Sequence, residues 1–294
     1  MTSPRVWVGG QLVPAEQARI SALDLGFRSG VGLFETFRVD GSCTFRLDDH
    51  LARLQDGAHH LGFDLSPHLL RTAVAATVHA NLPLGPHLAV RITCSPGPIE
   101  ATAPFPGRLA GDTTIVVTAQ PTAPLPARPS TATATLTALR REVATLKHSS
   151  YLVAVLAQRA AAAAGVSDAL YTDPAGAPLE GATANLLVLH DEVLTTAPAS
   201  AGILAGITRN AVLRLAREHN LTISERVVDA EELAQADEAM LTSAVGGVRP
   251  LVEVDGNSIG TGRAGPVVTA LAEAYLQLRR RDAVPLPLSP PRAD

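Results

Sequence analysis

The sequence predicts an α+β protein built as two unequal blocks, and three observations carry that prediction. Some short apolar runs are rich in β-branched residues, while others show apolar residues at alternating four- and three-residue steps, so strands and helices are both present. The two kinds of element are mixed on both sides of a divide. That divide is the run Gln120-Pro-Thr-Ala-Pro-Leu-Pro-Ala-Arg-Pro, whose four prolines disfavour regular pairing and favour an extended connector. The expected organisation is an N-terminal domain over 1–119, a linker over 120–129, a second domain over 130–281 and a mobile proline-rich tail over 282–294.

Val6-Trp-Val-Gly-Gly-Gln-Leu-Val reads as a hairpin around a Gly-Gly turn. Leu47, Leu51, Leu54, Ala58 and Leu61 then place one apolar face on a helix, and a second helix is expected over 69–80. Residues 88–94 and 113–119 read as strands. Beyond the linker come a strand over 131–138, a helix over 151–164 ended by Gly165, and a hairpin joining 169–172 to 184–189 through a Pro-Ala-Gly turn. A helix over 209–219, short strands and a last helix over 266–280 complete the ordered chain. The tail holds four prolines from Pro285 onward and little to bury.

Composition narrows the function. At 294 residues and 46% apolar the chain can bury a substantial core. Net charge is −4 with no basic block, which argues against nucleic acid as a partner. No apolar run approaches the roughly 18 residues of a membrane span, and the first residues lack a signal-peptide core. Cys43 and Cys94 are too few for a disulfide framework, and the histidines show no metal-ligand spacing. These features read as a soluble cytoplasmic protein without a metal.

Lys147 is the only lysine; every other formally positive side chain is arginine. Arginine replaces lysine wherever a solvated or paired charge is needed, but its guanidinium does not deprotonate in proteins. A lone lysine in the apolar setting Val143-Ala-Thr-Leu-Lys-His therefore suggests a neutral amine that forms a Schiff base with a carbonyl. Compositional accident in an Ala/Pro/Arg-rich chain is the competing explanation, so other residues must decide.

If the carbonyl is that of pyridoxal phosphate, the phosphate needs an anion site and the ring nitrogen needs an acid. Gly206-Ile207-Thr208, just before a helix, offers exposed amides and a hydroxyl. Taken alone it equally describes an ordinary threonine cap. Arg53 on the helix of residues 47–62 adds a bidentate clamp, or is a solvated helix-face arginine. Glu180, with no basic residue near it in sequence, is the candidate acid; the alternative is an exposed turn carboxylate.

Together these residues sit inside a longer pattern. Ser21-Ala-Leu-Asp-Leu-Gly-Phe-Arg-Ser-Gly-Val-Gly-Leu-Phe-Glu-Thr-Phe-Arg resembles the N-terminal signature of the class IV (fold type IV) pyridoxal-phosphate enzymes. His50-Leu-Ala-Arg-Leu, Leu146-Lys-His-Ser-Ser-Tyr-Leu and Leu179-Glu-Gly-Ala-Thr-Ala-Asn-Leu-Leu follow in order. Gly202-Ile-Leu-Ala-Gly-Ile-Thr-Arg, Ala236-Asp-Glu-Ala-Met-Leu-Thr-Ser-Ala and Gly262-Arg-Ala-Gly-Pro-Val-Val complete the series. Each motif is modest; seven in register over about residues 5–277 are specific.

The resemblance implies a two-domain fold, similar to D-amino-acid aminotransferase, with the active site between the domains of a homodimer. It implies that Lys147 holds the cofactor and shuttles protons, and that Glu180 pairs with the ring nitrogen. Arg53, Ile207 and Thr208 correspond to phosphate contacts, Tyr151 to the tyrosine near the ring, and the loop Thr242-Ser243-Ala244 to a further phosphate contact. The substrate is then a small-molecule amine.

Phe34-Glu35-Thr36, the four-residue Lys147–Tyr151 spacing and Ser243-Ala-Val-Gly-Gly-Val-Arg-Pro resemble 4-amino-4-deoxychorismate lyases, which release pyruvate and 4-aminobenzoate for folate biosynthesis. In those lyases a threonine at the place of Thr36 is linked to the proton relay. Two departures weaken this: Gly30-Val31-Gly32 stands where Gly-Asp-Gly is usual, and Ser95-Pro96-Gly97 stands where a Thr-Arg-Gly is often found. An arginine for the substrate carboxylate is thus out of its usual place, with Arg91, Arg108 and Arg249 as substitutes. An amino-acid aminotransferase, branched-chain or D-amino acid, is the alternative, and a degenerate, non-catalytic member a further one.

Overall fold

The computed structural model describes residues 3–102 and 108–287. The chain divides into two compact units. The first comprises the chain up to Pro124, Leu146–Ser150 and the chain from Asp282; the second comprises Leu125–Thr145 and Tyr151–Arg281.

The first unit begins with the expected hairpin, β1 (Arg5–Val8) and β2 (Gln11–Pro14). Gly9 and Gly10 sit at φ 58° and 78°, the left-handed pair that matches a two-residue turn to the twist of its strands. A short helix α1 (Leu25–Ser29) is capped by Asp24, which accepts from the Gly26 N–H. Strands β3 (Leu33–Asp40) and β4 (Cys43–Phe45) and helices α2 (Leu47–His60) and α3 (Pro67–Asn81) follow. Ser66 caps α3 and Pro67 occupies its first turn, where a missing N–H costs nothing. Strands β5 (His87–Ser95) and β6 (Thr114–Pro121) complete the centre of the sheet.

Leu51, Leu54 and Ala58 of α2, with Leu70, Val74 and Val78 of α3, bury against Leu33, Phe37 and Val39 of β3 and Leu88, Val90 and Ile92 of β5. Because side chains alternate along a strand, Phe34 and Thr36 point to the opposite face of β3.

The second unit contains β7 (Ala132–Thr137), α4 (Leu152–Ala163), β8 (Asp168–Thr172), β9 (Pro178–Gly181), β10 (Asn185–His190) and β11 (Val193–Thr196). It continues with α5 (Ile207–Glu218), β12 (Thr222–Glu225), α6 (Ala230–Ala234), β13 (Glu238–Ser243), β14 (Gly247–Val254), β15 (Asn257–Ser258) and α7 (Pro266–Arg281). Among the described residues its strands run β12-β11-β10-β13-β14-β7-β8-β9, and β9 pairs back to β10 at Glu180↔Asn185. Six strands, β10, β13, β14, β7, β8 and β9, therefore close into a ring. Ala134, Leu170, Leu186, Val188, Leu241 and Leu251 share one of its cores, and α4 packs on β8 through Ala157 and Ala161.

Four expectations are corrected. Leu146–Ser150, read as part of the second block, clusters with the first unit, because the Phe34 N–H donates to Lys147 O (2.8 Å) and the Ser149 N–H donates to Gly32 O (2.8 Å). The linker does not begin at 120: Gln120 and Pro121 extend β6 opposite Ala89 and Leu88. Residues 178–181, left between the two strands of the expected hairpin, form β9. The tail, expected to be mobile from residue 282, begins with a strand β16 (Ala283–Pro285) paired to β4, and buries Leu286; 288–294 lie outside the described residues. Among the described residues, no helix is long and apolar enough to cross a membrane, and no cluster of three metal-ligating side chains forms.

Candidate active site

In the first unit the lysine segment lies along the start of β3 as an extra rung, with Leu33 bridging antiparallel to His148. Backbone bonds set this rung, so the position of Lys147 does not depend on its side chain. Its Nζ lies 4.6 Å from the centre of the Phe34 ring. The Arg91 guanidinium stacks on the same ring at 3.7 Å. Thr36 is directly opposite Arg91 in the β3–β5 register. Lys147, Phe34, Thr36 and Arg91 therefore form one neighbourhood.

On the helix-facing side of β3, Glu35 is fully buried and holds two residues of α2. Arg53 grips it with Nε (2.7 Å) and Nη2 (2.9 Å), a bidentate charge-assisted pair. His50 Nδ1 is 2.7 Å from Oε2, the oxygen that also accepts from Arg53 Nη2. Burial alone would raise the Glu35 pKa, but the His50 hydrogen bond and the Arg53 charge outweigh it, and the carboxyl sits at about 2. Burial pushes the His50 pKa down against the pull of Glu35, with Arg53 and Lys147 adding to the depression. A neutral His50 donating its Nδ1–H to an ionised Glu35 satisfies both groups.

The second unit carries Glu180 on β9, buried rather than exposed in a turn. Arg141 Nη2 donates to its Oε1 (2.8 Å); Asn185 Nδ2 and the Leu204 N–H donate to its Oε2 (3.1 Å each). Arg141 is a partner that sequence proximity could not reveal, being 39 residues away. Two buried atoms beside this carboxylate, Arg141 Nε and Tyr171 OH, find no hydrogen-bond partner among the described residues. Burial raises the Tyr171 pKa to about 12, so its phenol is protonated. A cavity of about 220 Å³ is lined by Arg140, Arg141, Tyr171, Thr172, Glu180 and neighbouring residues.

Ile207 and Thr208 form the first turn of α5, and Thr208 is buried. Its N-cap is Gly206, which supplies no side-chain cap. A Cβ at Gly206 would stand 1.9 Å from Asn185 Oδ1, so only glycine fits there. The first-turn amides thus have neither an intrahelical acceptor nor a capping side chain. Ser243 Oγ accepts from the Gly246 N–H, and Ala244 follows in the turn. Thr242, at the start of the same expected contact, buries an Oγ1 with no hydrogen-bond partner among the described residues.

Tyr151 is the N-cap residue of α4. Of the three candidate carboxylate binders, Arg249 pairs with Asp168 (3.1 Å) and Arg108 is solvent-exposed near Glu100. Arg91 shares the Phe34 ring with Lys147.

A sequence model of the family described as Amino-transferase class IV matches residues 32–254. The D-alanine aminotransferase of Bacillus licheniformis is 30% identical over 282 residues, covering 92% of this chain and 97% of that protein. The branched-chain aminotransferase of Thermoproteus uzoniensis, solved with norvaline, superposes with a TM-score of 0.86 at 28% identity, covering 97% of this chain and all of that one. The branched-chain amino acid aminotransferase of T.th., solved with pyridoxamine 5'-phosphate, gives a TM-score of 0.84 at 27% identity, with 97% and 99% coverage. A match over most of the chain's length makes this protein a member of the class IV aminotransferase family.

Proposed function

We propose that this protein is a pyridoxal-phosphate-dependent enzyme that moves an amino group from an amino acid to a 2-oxo acid, with Lys147 as its Schiff-base lysine. The observation that carries the reading is the single lysine fixed by backbone hydrogen bonds beside β3. The cofactor fits the residues present. An uncapped helix N-terminus and the buried, unpartnered Thr242 hydroxyl suit a phosphate, and a buried carboxylate suits a protonated ring nitrogen. Bound there, the cofactor supplies an electron sink for the pair left when a proton is removed beside the substrate nitrogen.

The residues divide the work. The Lys147 amine takes the proton from the carbon that bears the substrate's amino group. Glu180, fixed by Arg141, Asn185 and the Leu204 amide, holds the proton on the ring nitrogen. Ile207, Thr208, Ser243 and Ala244 would hold the phosphate, Arg53 would add a positive charge locked in place by Glu35, and Tyr151 would stand near the ring. Arg91, steadied on Phe34, binds the substrate carboxylate, with Arg249 held back by Asp168.

The test is to incubate the protein with pyridoxal phosphate, reduce with borohydride and locate the adduct, then assay amino acids with 2-oxoglutarate. An adduct on Lys147 and keto-acid exchange are expected; no adduct on Lys147 overturns the reading. A second reading, 4-amino-4-deoxychorismate lyase, is favoured by Thr36 facing Arg91 and by the Lys147–Tyr151 spacing. Release of 4-aminobenzoate without keto-acid exchange would establish it in place of the first.

The protein is also read as a homodimer. Leu152, Val155 and Leu156 stand exposed at i, i+3 and i+4 on α4, an apolar stripe that a second copy would cover. Leu156→Glu should shift the mass measured by light scattering to that of a monomer; an unchanged mass excludes this face.

A further inference from the structure

We propose that Tyr275, on the last helix, is a positioning residue for the anion-binding end of α5 and acts through Thr208. The inference rests on the reading of Ile207 and Thr208 as phosphate contacts and goes beyond it. Tyr275 is fully buried, and its phenol oxygen lies 3.3 Å from Thr208 Oγ1. Nothing in the motif that contains Thr208 points to a residue 67 positions away.

The chemistry assigns the direction of this contact. A threonine hydroxyl owns one proton and can accept two hydrogen bonds. Tyr275, the stronger acid, donates to Thr208. The Thr208 proton is then left for the anion, alongside the amides of the same helical turn. Without the phenol, the threonine hydroxyl is free to rotate and spend its proton elsewhere.

The surroundings make Tyr275 a rigid donor. Its ring lies close to the start of β14: a Cβ added at Gly247 would stand 3.6 Å from Cε1. Its helix is tied to β13 at the start, where Glu238 accepts from the Val267 (3.0 Å) and Val268 (2.7 Å) amides. A Cβ at Gly265 would run into that carboxylate at 2.1 Å. The strand that anchors α7 through Glu238 also carries Thr242.

The experiment strips the full-length chain of cofactor and titrates it with pyridoxal phosphate and, separately, with pyridoxal. Tyr275→Phe, Thr208→Ala and the double variant are compared with the parent. Tyr275→Phe removes one oxygen and keeps the packing, and an unchanged melting temperature without ligand checks this. The dissociation constant for pyridoxal phosphate should rise about tenfold, the worth of one good hydrogen bond, while that for pyridoxal stays put. In the Thr208→Ala background, Tyr275→Phe should add nothing. Equal weakening of both ligands, or full additivity in the double variant, makes Tyr275 merely structural and overturns the inference. A parent chain that does not bind pyridoxal phosphate sinks the proposed function and this inference with it. Normal binding unaffected by Tyr275→Phe sinks the inference alone.

Discussion

Glu35 in the first unit and Glu180 in the second are both buried carboxylates, and the two are held in different ways. Glu35 gives both oxygens to positively charged or polarised side chains of one helix, Arg53 and His50. Glu180 has a cation on one oxygen and two uncharged amides on the other, with Arg141 Nε and Tyr171 OH unsatisfied beside it. Leaving a buried polar atom without a partner costs about 1–3 kcal/mol. Around Glu35 the hydrogen bonding suits a carboxylate whose task is to fix α2 on β3. Around Glu180 the protein tolerates incomplete hydrogen bonding, which points to a carboxylate that serves a ligand. The contrast separates a scaffold acid from a working one.

The first way to break the comparison is to remove Lys147, on which the proposed chemistry turns. Lys147→Arg keeps a positive charge and the backbone bonds of the rung, but no neutral amine. Turnover should fall by at least about a thousandfold and no borohydride-trapped adduct should form. Retained turnover would mean that Lys147 is not the Schiff-base lysine and would leave the working role of Glu180 without its basis.

Next come the acids themselves. Glu35→Gln removes the buried negative charge that pairs with Arg53 and should cost about 3 kcal/mol in urea unfolding of the cofactor-free protein, with turnover of the loaded enzyme little changed. Glu180→Gln takes the same kind of charge from Arg141 and should cost a similar amount, and in addition lower turnover about a hundredfold through the ring nitrogen. If Glu35→Gln lowers turnover and Glu180→Gln does not, the assignment of scaffold and working acid is reversed.

Acid unfolding sharpens the same contrast. The folded Glu35 carboxyl titrates at about 2, below its ordinary 4.5. The unfolded chain therefore takes up that proton first, and the contribution present above pH 4.5 is lost as pH falls toward 2. His50 acts in the same direction from a higher pH, because its folded pKa is below 6.5. Unfolding free energy followed by urea titration should begin to fall below pH 6.5 and steepen below pH 4.5. In Glu35→Gln the steep lower limb should flatten by about 3 kcal/mol; an unchanged limb would remove Glu35 from the account.

These differences show what could be read before the fold was seen. Leu47, Leu51, Leu54 and Ala58 announce α2, since a helix buries residues at local, regular spacing. Strand β9 was missed because Pro178-Leu-Glu-Gly is four residues long and is held by partners on β8 and β10, not by its own pattern. Lys147 was legible as chemistry and misplaced as architecture. Its uniqueness is a side-chain property, but its unit is decided by backbone bonds to Phe34 and Gly32, which no side-chain pattern encodes. Glu180 was legible and Arg141 was not, because a salt bridge across 39 residues leaves no local trace.

Thr242 offers the smallest and most specific test. Its hydroxyl is buried in the second unit without a partner among the described residues, on the strand that leads into Ser243 and Ala244. Thr242→Val keeps the shape and removes the unsatisfied oxygen. Without cofactor the variant should be as stable as the parent or more so, by up to about 1 kcal/mol. With pyridoxal phosphate added, the rise in melting temperature should be smaller than in the parent, because one donor to the phosphate is gone. If the hydroxyl were an idle defect of packing, the variant would gain the same stability with and without the cofactor. A gain confined to the cofactor-free protein instead marks the oxygen as one the fold keeps for its ligand, which is the same logic that distinguishes Glu180 from Glu35.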